Sequence, residues 1–162
     1  MLLISDANIF IDLDKTGLLK HFASLGFTIT TSDFVYAELN ARQKSIVDTL
    51  DITIYEMDGV ELIDFYSEFS ALKLKKLSYQ DYSIFYYAQK HEGEVLSNDL
   101  RLRKYAAKRS ISVKGLFYIL DEMVSQGCVS NSMMVKKLIL LKEINKRLPI
   151  KEIDDRITTL TP

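Results

Sequence analysis

The sequence predicts an α/β domain with a central, mostly parallel sheet of about five strands, followed by a C-terminal helical extension. Short β-branched runs alternate with helical patterns, and this alternation is typical of a parallel sheet covered by helices. The first run, Leu2 to Ser5, is apolar, as a strand covered on both faces should be. Gly26, Gly93 and Gly127 each follow a helical stretch, so we expect helix stops in the left-handed conformation that glycine adopts at little cost.

Five short segments are the strand candidates, and helical patterns separate them. They are residues Leu2 to Ser5, Phe27 to Thr30, Ile52 to Tyr55, Val95 to Ser97 and Ser112 to Lys114. The helical stretches include residues 18–25, a segment that begins near Thr31 or Ser32, and the stretch DYSIFYYAQKHE.

The last part of the chain predicts two further helices. Ser130 or Ser132 is the expected cap of the first, and Pro149 begins the second. Each has an apolar stripe at helical spacing, formed by Leu138, Leu141 and Ile144 in the first and by Ile150, Ile153, Ile157 and Leu160 in the second. We therefore expect a domain at 1–128 and an extension at 129–162, which packs on the domain or on a second copy of it.

Composition limits the classes of protein that fit this chain. It has 162 residues, 48% of them hydrophobic and 27% charged, which is typical of one globular domain. The net charge of −1 provides no global attraction to nucleic acid or anionic lipid, so such contacts need a local basic patch. Cys128 is the single cysteine and there are two histidines, so a zinc cage is not expected. No signal peptide or membrane span is indicated, and we expect a cytoplasmic protein.

Two acidic residues follow predicted strands that lie far apart in the sequence. Asp6 ends the first strand, and Asp99 ends the strand EVLSN and begins a helix. The carboxyl ends of parallel strands meet at one edge of a sheet, where α/β proteins place their ligands. We therefore expect the two carboxylates to meet, although helix N-capping would explain each of them alone.

Two more acids are predicted near the same edge. Glu38 shares a helical face with Phe34, and the alternative is an exposed pair with Arg42. Asp81 begins a helical stripe that should pack on the sheet, and the alternative is a capping box with Ser78.

Four carboxylates in one pocket repel each other at neutral pH, and a divalent cation relieves that repulsion. Oxygen ligands favour Mg²⁺ or Mn²⁺. Such a cation can activate water and stabilise charge on a phosphate, as phosphodiester hydrolysis requires. Asn8 and Ser97, two residues from Asp6 and Asp99, are candidates for a hydrogen bond to a carboxylate ligand or to a metal-bound water.

Two other features have a functional and a structural interpretation. Arg101, Arg103 and Lys104 lie in the basic segment LRLRKYAAKR, which could contact an RNA backbone or form a solvated helix face. The tyrosines of the segment 79–87 could stack on bases, line a dimer interface or pack in the core.

Four stretches resemble the PIN-domain nucleases, and most closely the VapC-like prokaryotic toxins or an uncharacterised prokaryotic branch. They are ISDANIFIDL with Asp6, SDFVYAEL with Glu38, LSYQDYSIFYYAQKHEGEVLSNDLRLRKYA with Asp81 and Asp99, and ISVKGLFYILDEMV. The C-terminal extension departs from the short toxins.

The resemblance implies a three-layer α/β/α fold and Mg²⁺- or Mn²⁺-dependent cleavage of RNA by the four acids. It also implies a homodimer and, for a toxin, an antitoxin partner. The alternatives are a non-catalytic RNA- or protein-binding module and a Rossmann-like phosphoryl enzyme. In the latter, Asn8 stands where the aspartate-nucleophile motif needs a second acid.

Overall fold

The computed structural model describes residues 1–73 and 77–162. Within them, short strands form one sheet that is parallel throughout, and helices connect the strands. The strands are β1 (Leu2–Ser5), β2 (Thr28–Ser32), β3 (Ile52–Tyr55), β4 (Glu94–Leu96) and β5 (Val113–Lys114). The helices are α1 (Ala7–Lys15), α2 (Leu19–Ala23), α3 (Asp33–Ala37), α4 (Ala41–Asp48), α5 (Gly59–Leu72), α6 (Tyr79–Lys90), α7 (Leu100–Ala107), α8 (Leu116–Ser125), α9 (Asn131–Ile144) and α10 (Ile150–Leu160).

The sheet has the order β3-β2-β1-β4-β5, so β1 is the central strand. Ile4 lies opposite Thr30 of β2 and Val95 of β4, and Ser5 lies opposite Leu96. The carboxyl ends of β1 and β4 are therefore side by side. This confirms the predicted parallel sheet and brings the residues that follow these two strands to one edge.

Helices cover the sheet on both faces and give a three-layer α/β/α arrangement. In one layer α6 contacts α3, α7 and the strands β1, β2 and β4. In the other layer α1 contacts α2 and α4, and α2 contacts α8. Leu3, Ile29 and Val95 of the strands are fully buried between these layers. No helix within the described residues is long and apolar enough to cross a bilayer.

The left-handed conformation predicted for three glycines after helices is confirmed for two of them and is wrong for the third. Gly26 and Gly127 have φ of 78° and 73°. Near residue 93 the left-handed residue is Glu92, with φ of 54°. Gly93 instead allows its backbone to pack closely against Leu2. A Cβ at residue 93 would lie 3.1 Å from Cγ of Leu2 and 3.3 Å from its carbonyl oxygen.

The C-terminal extension packs on the domain of its own chain. Ser130 caps α9 by accepting a hydrogen bond from the N–H of Met133 at 3.2 Å, as predicted. Arg156 of α10 pairs with Asp121 of α8 at 2.8 Å. The amide of Asn145 donates to Oδ2 of Asp12 at 2.8 Å. The extension thus shares the core of the domain, while the boundary at residue 128 stays a prediction.

Replacing the buried Leu138 by alanine should destabilise the whole chain by about 2–5 kcal/mol, because it leaves a cavity in the common hydrophobic core. Urea unfolding measures this free energy. Leu140→Ala, at a position that is 38% exposed on the same helix, is the matched control and should cost about 1 kcal/mol or less. A separate early transition that is confined to the extension would show that it does not share the core.

Candidate active site

Asp6 occupies the turn between β1 and α1 and is only 3% exposed. Its Oδ1 accepts a hydrogen bond from the N–H of Ile9 at 3.0 Å, so it caps α1 as the structural alternative predicts. Its Oδ2 accepts a hydrogen bond from the hydroxyl of Ser97. Both oxygens are held, and the carboxylate has one fixed orientation.

Ser97 links Asp6 to the turn that carries Asp99. The side chain of Ser97 is fully buried, and its Oγ accepts a hydrogen bond from the N–H of Asp99 at 3.0 Å. Asp99 caps α7 by accepting from the N–H of Leu102 at 2.9 Å. The guanidinium of Arg103 donates to the carbonyl of Ser97 at 3.0 Å. Ser97 thus contacts the carboxylate of Asp6 and the backbone of Asp99 at once.

Asp81 lies in the first turn of α6, and its N–H donates to the Oγ of Ser78 at 3.1 Å. Its side chain is half-buried. Further along the same helical face, Ile84, Phe85 and Ala88 are buried, as the predicted stripe requires. The N-cap at Ser78 and the inward position of Asp81 therefore coexist.

Glu38 differs from the expectation of a continuous helix. α3 ends at Ala37, because Asn40 begins a new helix with a capping box to Gln43. Glu38 follows the last turn and is exposed. The alternative pairing with Arg42 is wrong, since the guanidinium of Arg42 binds Oδ2 of Asp14 at 2.5 Å.

The four carboxylates are electrostatically coupled. Burial raises the pKa of Asp6 to about 7, helped by the charges of Asp81 and Asp99 and opposed by its two hydrogen bonds. Burial and then the charge of Asp99 raise the pKa of Asp81. Burial and then the charge of Asp81 raise the pKa of Glu38. The structure therefore brings the four predicted acids to one edge of the sheet, with Glu38 at the periphery.

The donor set fits a hard divalent cation, although it is not a closed cage. Across residues 1–73 and 77–162, no group of three or more His, Cys, Asp or Glu side chains is arranged so that it could hold a metal ion by itself. Mg²⁺ needs only one or two carboxylates and keeps several waters. Burial raises the pKa values of Asp6 and Asp81, with smaller contributions from neighbouring carboxylates, and a cation would favour the ionised forms. Asp6, Asp81 and Asp99 are the candidate ligands, and water molecules would have to complete the coordination.

The remaining candidates have mixed positions. Asn8 is exposed, and its side chain donates to no carboxylate in the described part of the chain. Arg101 and Lys104 are exposed on α7, whereas Arg103 is half-buried against Ser97. Tyr82 and Tyr87 are buried, which favours core packing for this part of the tyrosine cluster.

The fold and the site define a three-layer α/β/α domain with coupled carboxylates at the carboxyl edge of its sheet. The sequence profile of DUF3368, described as a PIN domain, matches residues 2–160. The chain therefore belongs to the PIN-domain family, as the resemblance predicted. PIN domains are generally nucleases and typically use divalent metal ions. The family match includes the C-terminal extension and removes the basis for a phosphoryl-enzyme alternative.

Comparison with solved structures gives a similar chain in a PilT N-terminus domain protein from the hyperthermophilic archaeon Sulfolobus solfataricus P2. The two share 6% sequence identity with a TM-score of 0.48, over 76% of this chain and 94% of that one. No curated protein sequence matches this chain.

Proposed function

We propose that this chain is a metal-dependent endoribonuclease that hydrolyses RNA phosphodiester bonds, with Mg²⁺ or Mn²⁺ as its cofactor. The observation that carries the proposal is the electrostatic coupling of Asp6, Glu38, Asp81 and Asp99 at one edge of the sheet. N-capping accounts for Asp6 and Asp99, but neither Asp81 nor Glu38 caps the N-terminus of a helix.

A bound divalent cation would lower the pKa of a water molecule and stabilise negative charge on the phosphate. Asp6, Asp81 and Asp99 would hold it. Ser97 and the N–H of Ile9 keep Asp6 in one orientation, so little reorganisation is needed when the site loads. Glu38 is exposed at the periphery, where it can orient water.

RNA must approach this acidic edge despite the repulsion between its phosphates and the carboxylates. α7 begins at Asp99 and carries Arg101, Arg103 and Lys104. Cations on this helix would bind the phosphate backbone next to the site and offset that repulsion.

The biological role that we propose is the toxin of a type II toxin–antitoxin pair, acting in the prokaryotic cytoplasm as a homodimer with a cognate antitoxin. Support comes from the sequence resemblance to VapC-like proteins. It also comes from large apolar side chains on the surface, since Val60 is 73% exposed and Ile63 is 69% exposed on α5. Such side chains suit contact with another protein.

A non-catalytic RNA- or protein-binding module is the second candidate. One observation favours it: within the described residues, no cluster of potential ligands is close enough to form a metal cage unaided. Metal binding separates the two candidates, because only the nuclease depends on it.

The decisive test is incubation of a mixed RNA pool with the purified protein in Mg²⁺, in Mn²⁺ and in chelator. We expect cleavage with at least one metal and none in chelator. Circular dichroism confirms that the protein used is folded. Intact RNA under every condition, with folded protein, would overturn the nuclease proposal in favour of the binding module.

A further inference from the structure

A cleft of about 570 Å³ opens directly beside Asp99, between the end of β5 and the connection from α9 to α10. Asn98 and Leu100, the two sequence neighbours of Asp99, form one side of it. Residues 147–149 of the C-terminal extension form another. Its volume lies in the range of small-ligand sites, which is about 300–1,000 Å³.

Cations predominate in the lining of this cleft. Arg103, Lys114 and Arg147 face one acid, Glu152. Lys114 Nζ lies 3.8 Å from a carboxylate oxygen of Glu94, and Arg103 donates to a carbonyl. Arg147 is exposed, and its guanidinium has no hydrogen-bond or ion-pair partner among residues 1–73 and 77–162. Arg147 is therefore the cation that is available to an anion from outside.

Aromatic rings complete the cleft. Phe117 and Tyr118 line it and are half-buried. The ammonium of Lys114 lies 4.9 Å from the centroid of the Tyr118 ring. A nucleic acid base can stack on such a ring, and every base has a face to offer.

Gly115, which lines the cleft, packs tightly against the side chains of Asn98 and Arg103. A Cβ at Gly115 would lie 2.7 Å from Oδ1 of Asn98 and 2.9 Å from a guanidinium nitrogen of Arg103. The same Oδ1 accepts a hydrogen bond from the N–H of Leu116 at 2.9 Å. Glycine thus allows the end of β5, which lines the cleft, to pack against the turn that carries Asp99.

We propose that this cleft binds the stretch of single-stranded RNA next to the scissile phosphate, and that Arg147 of the C-terminal extension contacts its backbone. The inference rests on the proposed ribonuclease function and extends it by giving the extension a role in substrate binding. A polyanion fits the excess of cations, and a base fits the aromatic rings. The bound strand would pass the turn that carries Asp99, because Asn98 and Leu100 line the cleft.

Arg147→Ala tests the proposal, with Lys146→Ala as the matched control. Lys146 is the sequence neighbour, loses the same charge and does not line the cleft. The probe is a fluorescein-labelled single-stranded RNA of about ten nucleotides, and its anisotropy is measured in chelator so that no cleavage occurs. Loss of one phosphate contact should weaken binding about five- to tenfold at about 50 mM salt and reduce the salt slope by about 0.7. Lys146→Ala should bind like the wild type.

Glu152→Gln provides a change of opposite sign. This residue lines the cleft as its one acid, and removing the charge should tighten binding about two- to fivefold. A variant that is merely misfolded would not bind more tightly. If the wild type binds RNA, and Arg147→Ala and Lys146→Ala bind it with equal affinity, the proposed role of the cleft would be overturned. The ribonuclease proposal would be unaffected by that result. A wild type that neither binds nor cleaves RNA would overturn both.

Discussion

Replacing Asp99 by asparagine is expected to reduce RNA cleavage by about 10³-fold or more while the fold stays intact. Asparagine caps a helix about as well as aspartate, so the hydrogen bond from the N–H of Leu102 can be kept. What is lost is a negative charge at the site that would hold the cation. Metal stabilisation of transition-state charge contributes several kcal/mol, and each 1.36 kcal/mol is a factor of ten in rate. Single-turnover cleavage of RNA in Mn²⁺ measures the loss.

Asp58→Asn is the matched control for this experiment. Asp58 also follows a strand, β3, and caps the next helix by accepting from the N–H of Glu61 at 2.8 Å. The strand that it follows, β3, is an outer strand of the sheet and is separated from β4 by β2 and β1, so Asp58 lies away from Asp99. Asp58→Asn should cleave RNA like the wild type. Equal activity of Asp99→Asn and wild type would show that Asp99 is only a cap.

Without metal, the stability of the protein should fall as the pH rises from about 4 to about 7. Asp6 has a pKa of about 7 in the folded chain, against an ordinary value of 3.8. Between these values the folded state keeps a proton that the unfolded state has released, so raising the pH favours unfolding. The ionised carboxylate then costs on the order of 4 kcal/mol above about pH 7, and nothing below about pH 4. Asp81 and Glu38, whose pKa values are also raised, act in the same direction.

Asp6→Asn should remove most of this pH dependence and make the metal-free protein more stable at about pH 8. The amide can still accept from the N–H of Ile9 and donate to Ser97. Urea unfolding in chelator at about pH 5 and about pH 8 measures both proteins. Mn²⁺ should stabilise the wild type at the higher pH by mass action and the variant much less. A variant with the pH profile of the wild type would contradict the assignment to Asp6.

Local sequence patterns were enough to predict the sheet and the positions of three of the acids. β-branched runs mark the strands. In any parallel sheet the carboxyl ends of the strands lie at the same edge, so the residues that follow β1 and β4 do as well. Asp81 was also predictable, because the stripe through Ile84 and Phe85 fixes the face that packs on the sheet. Each of these depends on short-range periodicity.

Competing local signals explain where the sequence misled. The segment around Glu38 has one apparent helical pattern, but Asn40 and Gln43 form a capping box that starts a second helix. Near Gly93, the close approach of Leu2 requires a glycine, and the left-handed turn falls one residue earlier. The helix break near Glu38 depends on the competing N-cap at Asn40. The conformation near Gly93 depends on a contact with Leu2 of β1.

The cleft beside Asp99 was not predictable from local sequence patterns. Arg147 is separated from Asp99 by three helical segments, and nothing in its neighbourhood indicates a site. Its placement depends on how α9 packs against α8 and on the contact between Asn145 and Asp12. Lys114 had a partial signal, since it ends a predicted strand.

The hydrogen bond between Ser97 and Asp6 joins residues 91 positions apart, which directly follow the neighbouring strands β4 and β1. During synthesis, a nascent chain that ends within α6 has Asp6, Glu38 and Asp81, but β1 has no partner on its β4 side. Asp6 then lacks the hydroxyl that orients it, and Asp99 does not yet exist. Under the proposed function, RNA cleavage begins only after β4 and α7 have been translated. Under the proposed function, truncated products that end before α7 are therefore inert toward the RNA of the cell that makes them.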